Sequence, residues 1–408
     1  MLSELGNSLT KSLDMKTKKN NGIYFTPKNI VNKCYGLLTK YIDNEKQITI
    51  LEPSCGSLEF ITNNNINKFN INRLDCYELN TEIYNNITSK EIFNKLNKIT
   101  KNINIYNQDY LKSSLQDKYD LIIGNPPYFV TKNKLYNEYY TGRPNIYIQF
   151  IIHSLHKLND NGILCFVIPL TLLNSEYYKL TRDFIINDFK ILEIFINKDK
   201  FKETSYNTFI LIVQNINKDN ENNAKNNTEN DTKNEEQQIN NLNKSFVFKG
   251  ILTPYKQIFK QMLKNEHYYL NNVCTVANGW FIWNEHKEEL TNKNNKNHNR
   301  CTLYYANENR TNYIKHYKGN IIKNDVIVIY RGNGNNSFKW KPRIIKYEGS
   351  GIVLENHLLY LNILDGFDIN EIFANICNEK TKTFAEMFIT SGSLTTKILL
   401  NKLPIFTN

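Results

Sequence analysis

Asp120-Leu121-Ile122-Ile123-Gly124-Asn125-Pro126-Pro127-Tyr128-Phe129 is a short apolar run that passes straight into a stiff, polar-tipped turn. The run 121–123 is too short for a helix and is bounded by Gly and two prolines, which predicts a buried strand of a parallel sheet. Ligands of open α/β sheets bind outside the carboxyl ends of such strands. Prolines fix φ and carry no N–H, so the Pro126 carbonyl and the Asn125 side-chain amide can be held as a rigid pair of acceptors. Such a pair suits a planar NH2 group on a heteroaromatic ring, whose lone pair becomes available once both hydrogens are pulled out of conjugation. Tyr128 then offers a π-face to a flat base, worth roughly 1–3 kcal/mol per stacked base. The plainer alternative is a Pro-rich turn with a capping Asn, and the rest of the chain decides between them.

Three more strands are predicted ahead of this turn, at 48–51, 73–77 and 103–106. Each runs toward an acidic residue: Glu52, Glu78 and Asp109. The first breaks at Glu52-Pro53-Ser54-Cys55-Gly56-Ser57-Leu58-Glu59-Phe60, a small-residue turn that brings backbone N–H groups near a ligand. Glu78, with Leu79 beside it, closes the second strand where dinucleotide-binding folds place a ribose acceptor. Upstream, Tyr24-Phe25-Thr26-Pro27 reads as a helix start, with Thr26 as N-cap and Pro27 at the first helical position. Ile30, Val31, Cys34, Leu37 and Leu38 supply that helix's apolar face.

Taken together, these motifs resemble the adenine-N6 DNA methyltransferases of the TaqI type, strongly in the first half of the chain and weakly in the second. The resemblance implies a doubly wound, mostly parallel, seven-stranded α/β catalytic domain followed by a mixed α+β target-recognition domain. It implies S-adenosylmethionine as cofactor and duplex DNA as partner, with no metal, no membrane, and room for a separately encoded cognate restriction endonuclease. On the matching positions, Thr26 meets the methionine part of the cofactor and Glu52 its ammonium. Pro53, Cys55 and Gly56 form the cofactor loop, Asp109 receives the adenine amine and Tyr110 packs on that ring. Asn125, Pro126, Pro127 and Tyr128 hold the target base, and Phe201 stacks on its other face. Leu58 departs from the pattern, which usually has a second Gly there.

Charge and composition bound the rest. The 408 residues carry a net charge of +11 and suffice for two domains. From Lys244 onward twenty-two Lys and Arg stand against thirteen Asp and Glu, an excess of nine, as suits a half that grips phosphates. Seven scattered cysteines without zinc spacing predict a reduced, intracellular protein. No apolar run approaches a membrane span, and His153 and His156 have no carboxylate partner for a metal. The expected division is a loose arm at 1–20, a catalytic domain at 21–214, an Asn-rich linker at 215–243 and a recognition domain at 244–408, in a chain expected to act as a monomer. Residues 131–144, with Lys132, Lys134 and Arg143, are expected to close over substrate. In the second half, Arg331, Asn333, Lys339, Lys341 and Arg343 interleave with Gly and aromatic residues, and Arg and Asn read base edges while Lys serves phosphates. Two rivals remain: the same turn acting on RNA or a protein glutamine, and a non-catalytic DNA-specificity subunit with a decayed cofactor site.

Overall fold

The computed structural model describes residues 2–142, 144–197, 201, 207–216, 243–291, 300–315, 317–331, 340–389 and 397–407. They form two compact units, Met1–Pro254 and Tyr255–Asn408.

The first unit is built on seven strands: β1 (Gln47–Glu52), β2 (Asn70–Tyr77), β3 (Ile103–Tyr106), β4 (Tyr119–Gly124), β5 (Leu158–Pro169), β6 (Phe189–Ile196) and β7 (Thr208–Asn215), in the order β3-β2-β1-β4-β5-β7-β6. All neighbours pair in parallel except β7, which runs antiparallel to both β5 and β6. This is the sheet order of the class I methyltransferase fold that the resemblance implies. Successive residues on a strand face opposite sides. Leu121 and Ile123 therefore join one apolar cluster and Ile122 the other. Both faces are covered, which is why β4 and β5 read as continuous apolar runs.

The helices of this unit are α1 (Glu4–Ser12), α2 (Met15–Asn21), α3 (Lys28–Leu38), α4 (Thr81–Ile87), α5 (Lys90–Leu96), α6 (Ile146–His156), α7 (Thr171–Asn174) and α8 (Lys179–Asp188). No described helix is long and apolar enough to cross a membrane. Two expectations are corrected here. The first twenty residues are not a loose arm: Ser3 and Asp14 cap α1 and α2 through their side chains, and Leu9 and Leu13 are buried in the core. Leu2, Leu5, Leu9 and Leu13 recur at helical spacing, a stripe hidden in polar surroundings. Between β5 and β6 the chain forms α7, a short 3-10 turn and α8 in succession. The second domain does not begin at 244: the first unit runs on to Pro254, and Asn243, fully buried, already binds its Ile186, Phe189 and Ile191. The linker expected before it lies almost wholly outside the described residues.

The second unit is mixed. Strands Cys274–Asn278, Leu358–Ile363, Val326–Tyr330 and Arg343–Ile345 form an antiparallel sheet in that order. A second four-stranded sheet contains one parallel pair, Arg300–Tyr304 with Gly351–Leu354. Its described helices are Lys256–Met262, Ile369–Cys377, Glu379–Phe388 and Lys397–Asn401, and a two-stranded sheet pairs His267–Tyr269 with Pro404–Phe406; Phe259 packs against Phe384 at 4.4 Å between ring centroids.

Candidate functional site

The carboxyl ends of β1 to β4 converge on a cavity of about 360 Å³. Its wall takes Glu52, Pro53, Cys55 and Gly56 from the turn after β1, Glu78 and Leu79 after β2, Asp109 and Tyr110 after β3, Asn125 and Pro127 after β4, and Thr26 from the segment before α3. Every residue singled out for the cofactor, and Asn125 with them, thus lies on one concave surface.

Local geometry explains how they come together. The turn after β1 is not followed by a helix; its Gly56 amide donates to Glu78 Oε2 at 2.9 Å, and the Cys55 amide to the Tyr77 carbonyl at 2.9 Å. Leu58 sits at φ +60, the left-handed conformation a glycine would take, so the backbone keeps its path despite the side chain. Thr26 is not the cap of α3. The capping position is Pro27, and Thr26 is buried on the cavity wall instead.

The electrostatics are dominated by acids. Glu52 is buried, and its Oε2 has no hydrogen-bond partner among the described residues. Burial pushes its carboxyl well above the ordinary range, helped by Cys76, Glu59 and Glu78. Burial raises Glu78 too, against the pull of backbone donors that include the Asn80 amide at 2.8 Å. Asp109 Oδ1 accepts from the Leu111 amide at 3.1 Å. Tyr110 and Phe150, 5.3 Å apart, give the cavity an aromatic side.

The turn after β4 looks different. Asn125 Nδ2 donates to the Tyr24 carbonyl at 3.0 Å, and its Oδ1 accepts from the Tyr128 hydroxyl, which also lies 2.6 Å from the Val167 carbonyl. Tyr128 is 3% exposed and packs edge-on to Tyr147. Its ring therefore does not present the open face expected of it in this state. Pro126 is buried, and Phe201 is 4% exposed within the apolar cluster of the α3 face. Phe129, unmarked in the sequence reading, lines the cavity.

Other wall residues escaped that reading. Ile146 and Phe150 stand one turn apart on α6, a spacing that could have flagged them. Asn21 and Gly22 end α2, and a Cβ on Gly22 would lie 2.6 Å from the Tyr128 amide nitrogen. Ser57 and Glu59 complete the turn after β1, where Glu59 Oε1 accepts the Ser3 amide and hydroxyl at 3.0 and 2.7 Å.

In the second unit, Arg331 Nη1 donates to the Asn356 carbonyl at 3.3 Å, and Arg343, its charge disfavoured by burial, donates to the Tyr305 carbonyl. Both guanidinium groups are thus partly engaged by the fold, while Lys341 is exposed. Trp340 is a buried anchor bonded to the Ile376 carbonyl at 2.9 Å. Asn333, Lys339 and Arg143 lie outside the described residues.

Residues 57–201 match the Eco57I restriction-modification methylase family. Modification methylase CviBIII of Paramecium bursaria Chlorella virus NC1A is 34% identical over 209 residues, 50% of this chain and 52% of that protein, so the chain's match spans about half of that relative. Type II methyltransferase M.CvrRI of Paramecium bursaria Chlorella virus XZ-6E aligns over 97% of both chains at 23% identity. A solved class I S-adenosylmethionine-dependent methyltransferase from Listeria monocytogenes aligns over 53% of this chain and 66% of its own at 19% identity with a TM-score of 0.42, so the fold rests on the sheet order rather than on that overlap. The resemblance to adenine-type DNA methyltransferases is supported by the family and its type II relatives, and the TaqI-type features are consistent with them. S-adenosylmethionine is the cofactor of this fold and family. The cavity suits it: an orphaned buried carboxyl oxygen calls for a cation, and acids beside an aromatic wall suit a ribose and an adenine.

Proposed function

We propose that this protein methylates the exocyclic N6 amine of adenine in duplex DNA, at a specific site and on a base turned out of the helix. The observation that carries the reading is the placement of Asn125. It stands at the end of β4 on the wall shared with Glu52, Glu78 and Asp109, and its Nδ2 is tied to the Tyr24 carbonyl so that Oδ1 is the end left to accept.

S-adenosylmethionine supplies an electrophilic methyl group. Glu52 seats its ammonium, Thr26 touches the methionine chain, and Glu78 accepts from the ribose. Asp109 accepts from the adenine amine, and Tyr110 with Leu79 flanks that ring over the loop Pro53, Cys55 and Gly56. The amine of the target base donates to Asn125 Oδ1 and to the Pro126 carbonyl, which draws its lone pair out of the ring. The Tyr128 hydroxyl must first release Asn125, and its ring, with Pro127 and Phe201, then encloses the base. Extrusion of a paired base costs a few kcal/mol, and positioning with charge redistribution supplies the rate. The basic second unit is the target reader, with Lys341, Arg331, Arg343, Asn333 and Lys339 near the DNA.

The test is transfer of labelled methyl from S-adenosylmethionine to duplex DNA, followed by digestion and chromatography of the nucleosides. N6-methyladenine is the expected product. N4-methylcytosine would overturn the choice of base, and methyl transfer to RNA or protein with none to DNA would overturn the substrate. A decayed specificity subunit would bind DNA and show no heat of S-adenosylmethionine binding.

A further inference from the structure

Helix α6 carries two adjacent stripes of side chains. Ile146 and Phe150 line the cavity, and Ser154, one turn on, meets the Tyr110 hydroxyl at 2.8 Å. Residues four apart share a helix face, so this stripe is the backing of the wall assigned to the cofactor's adenine. The neighbouring stripe, Gln149 and His153, is buried to 0% and 2% exposure and turns to the loop of residues 131–142. Gln149 Nε2 donates to the Asn133 and Leu135 carbonyls at 2.8 and 3.1 Å. His153 Nδ1 lies 2.7 Å from the Tyr136 hydroxyl.

His153 also belongs to the first stripe's business. Its ring meets the Tyr110 ring edge-on at 4.8 Å, and its Nε2 lies 3.2 Å from Ser113 Oγ, which accepts from Lys157 Nζ at 3.0 Å. Tyr136 holds φ +61, an uncommon conformation for a bulky residue that surrounding contacts must enforce. The loop itself springs from the turn that carries Asn125: the Ile146 amide donates to the Phe129 carbonyl at 2.9 Å, and Thr131 to Pro144 at 3.0 Å. One imidazole therefore touches both the aromatic wall and the loop that leaves the Asn-Pro-Pro-Tyr turn.

We infer that His153 is a positioning residue that couples the two ligands: with the cofactor packed on Tyr110, His153 holds Tyr136 and so fixes the loop in the form that receives DNA. This rests on the proposed function. Linkage requires the coupling to be reciprocal, so DNA tightens cofactor binding by the same factor.

The experiment measures binding of a duplex shown to be methylated, by fluorescence anisotropy, with and without saturating S-adenosylhomocysteine, for the wild type, Tyr136→Phe and His153→Gln. Tyr136→Phe removes one hydroxyl and leaves the ring. In the wild type S-adenosylhomocysteine tightens DNA binding. Loss of one such hydrogen bond reduces that coupling roughly three- to tenfold, raises the KM for DNA and leaves kcat at saturating DNA unchanged. Affinity for S-adenosylhomocysteine alone stays within about twofold, because no cofactor contact is removed. A merely structural role would lower thermal stability and both affinities together. Coupling that is absent in the wild type, or intact in both variants, overturns the inference alone. Wild-type protein that methylates no duplex sinks the proposed function and this inference with it.

Discussion

The cavity wall proposed for the cofactor and the groups proposed for the target base differ in how they are held. On the side proposed for the cofactor, Glu52 keeps a buried oxygen with no partner among the described residues, and Glu78 and Asp109 line the cavity while accepting backbone amides. Among the groups proposed for the target base, three are already engaged: Asn125 between Tyr24 and Tyr128, Tyr128 against Tyr147, Phe201 in the core. The difference follows from what each ligand needs. A seat for a cation can stand empty, because a carboxyl whose affinity for protons is raised by burial becomes neutral by taking one up. A slot for a flat base consists of aromatic faces, and leaving these in water forfeits about 25 cal/mol per Å². In this structure those faces are packed against the protein's own side chains.

The largest test of this contrast is Asn125→Ala, which should lower methyl transfer at least a hundredfold while calorimetry finds cofactor affinity within about twofold. Comparable losses in both would mean that the halves are not separate. Next comes Glu52→Gln, expected to weaken S-adenosylmethionine binding roughly ten- to a hundredfold, the range for a hydrogen bond to a charged group. In the unmodified protein that affinity should rise with pH as Glu52 gives up its proton and then level off; the variant should show a flatter profile. A third, Tyr128→Phe, releases Asn125 Oδ1 and leaves the Val167 carbonyl short of a donor, at a cost of about 1–3 kcal/mol in stability. If closure opposes base entry, the KM for DNA should fall with it; an unchanged KM would remove the latch from the account. The smallest effect concerns His153, whose imidazole burial pushes down to about 4, with Lys157 assisting. Its folded pKa lies below the unfolded one of about 6.5, so the unfolded chain takes the proton first. Its influence should thus be absent above pH 6.5 and cost stability progressively toward pH 4, read as a falling thermal midpoint that His153→Gln should flatten.

Much of the cofactor half was legible because its signals are local. Short apolar runs ending in Glu52, Glu78 and near Asp109 mark strands and their ligand-facing tips at once, and β3 begins and ends where the pattern puts it. The base half was legible only in its elements. Nothing in Asn-Pro-Pro-Tyr says that the tyrosine folds back onto its own asparagine, since that depends on Val167 and Tyr147, far along the chain. Thr26 misled for a related reason: a Thr-Pro pair satisfies capping statistics, yet Thr26 is a wall residue of a cavity that only the assembled sheet creates. In the second unit, sequence order does not predict that Trp340 is a core anchor or that Arg343 is held by a carbonyl thirty-eight residues earlier.

Leu58 sets a backbone cost against a packing gain at one position. It accepts a glycine's backbone angles at a cost of order 1 kcal/mol, yet its side chain is fully buried in the core. Restoring glycine would relieve the first and forfeit about 2–5 kcal/mol of the second. A Leu58→Gly protein should therefore melt at a lower temperature even though its backbone at this turn is relaxed.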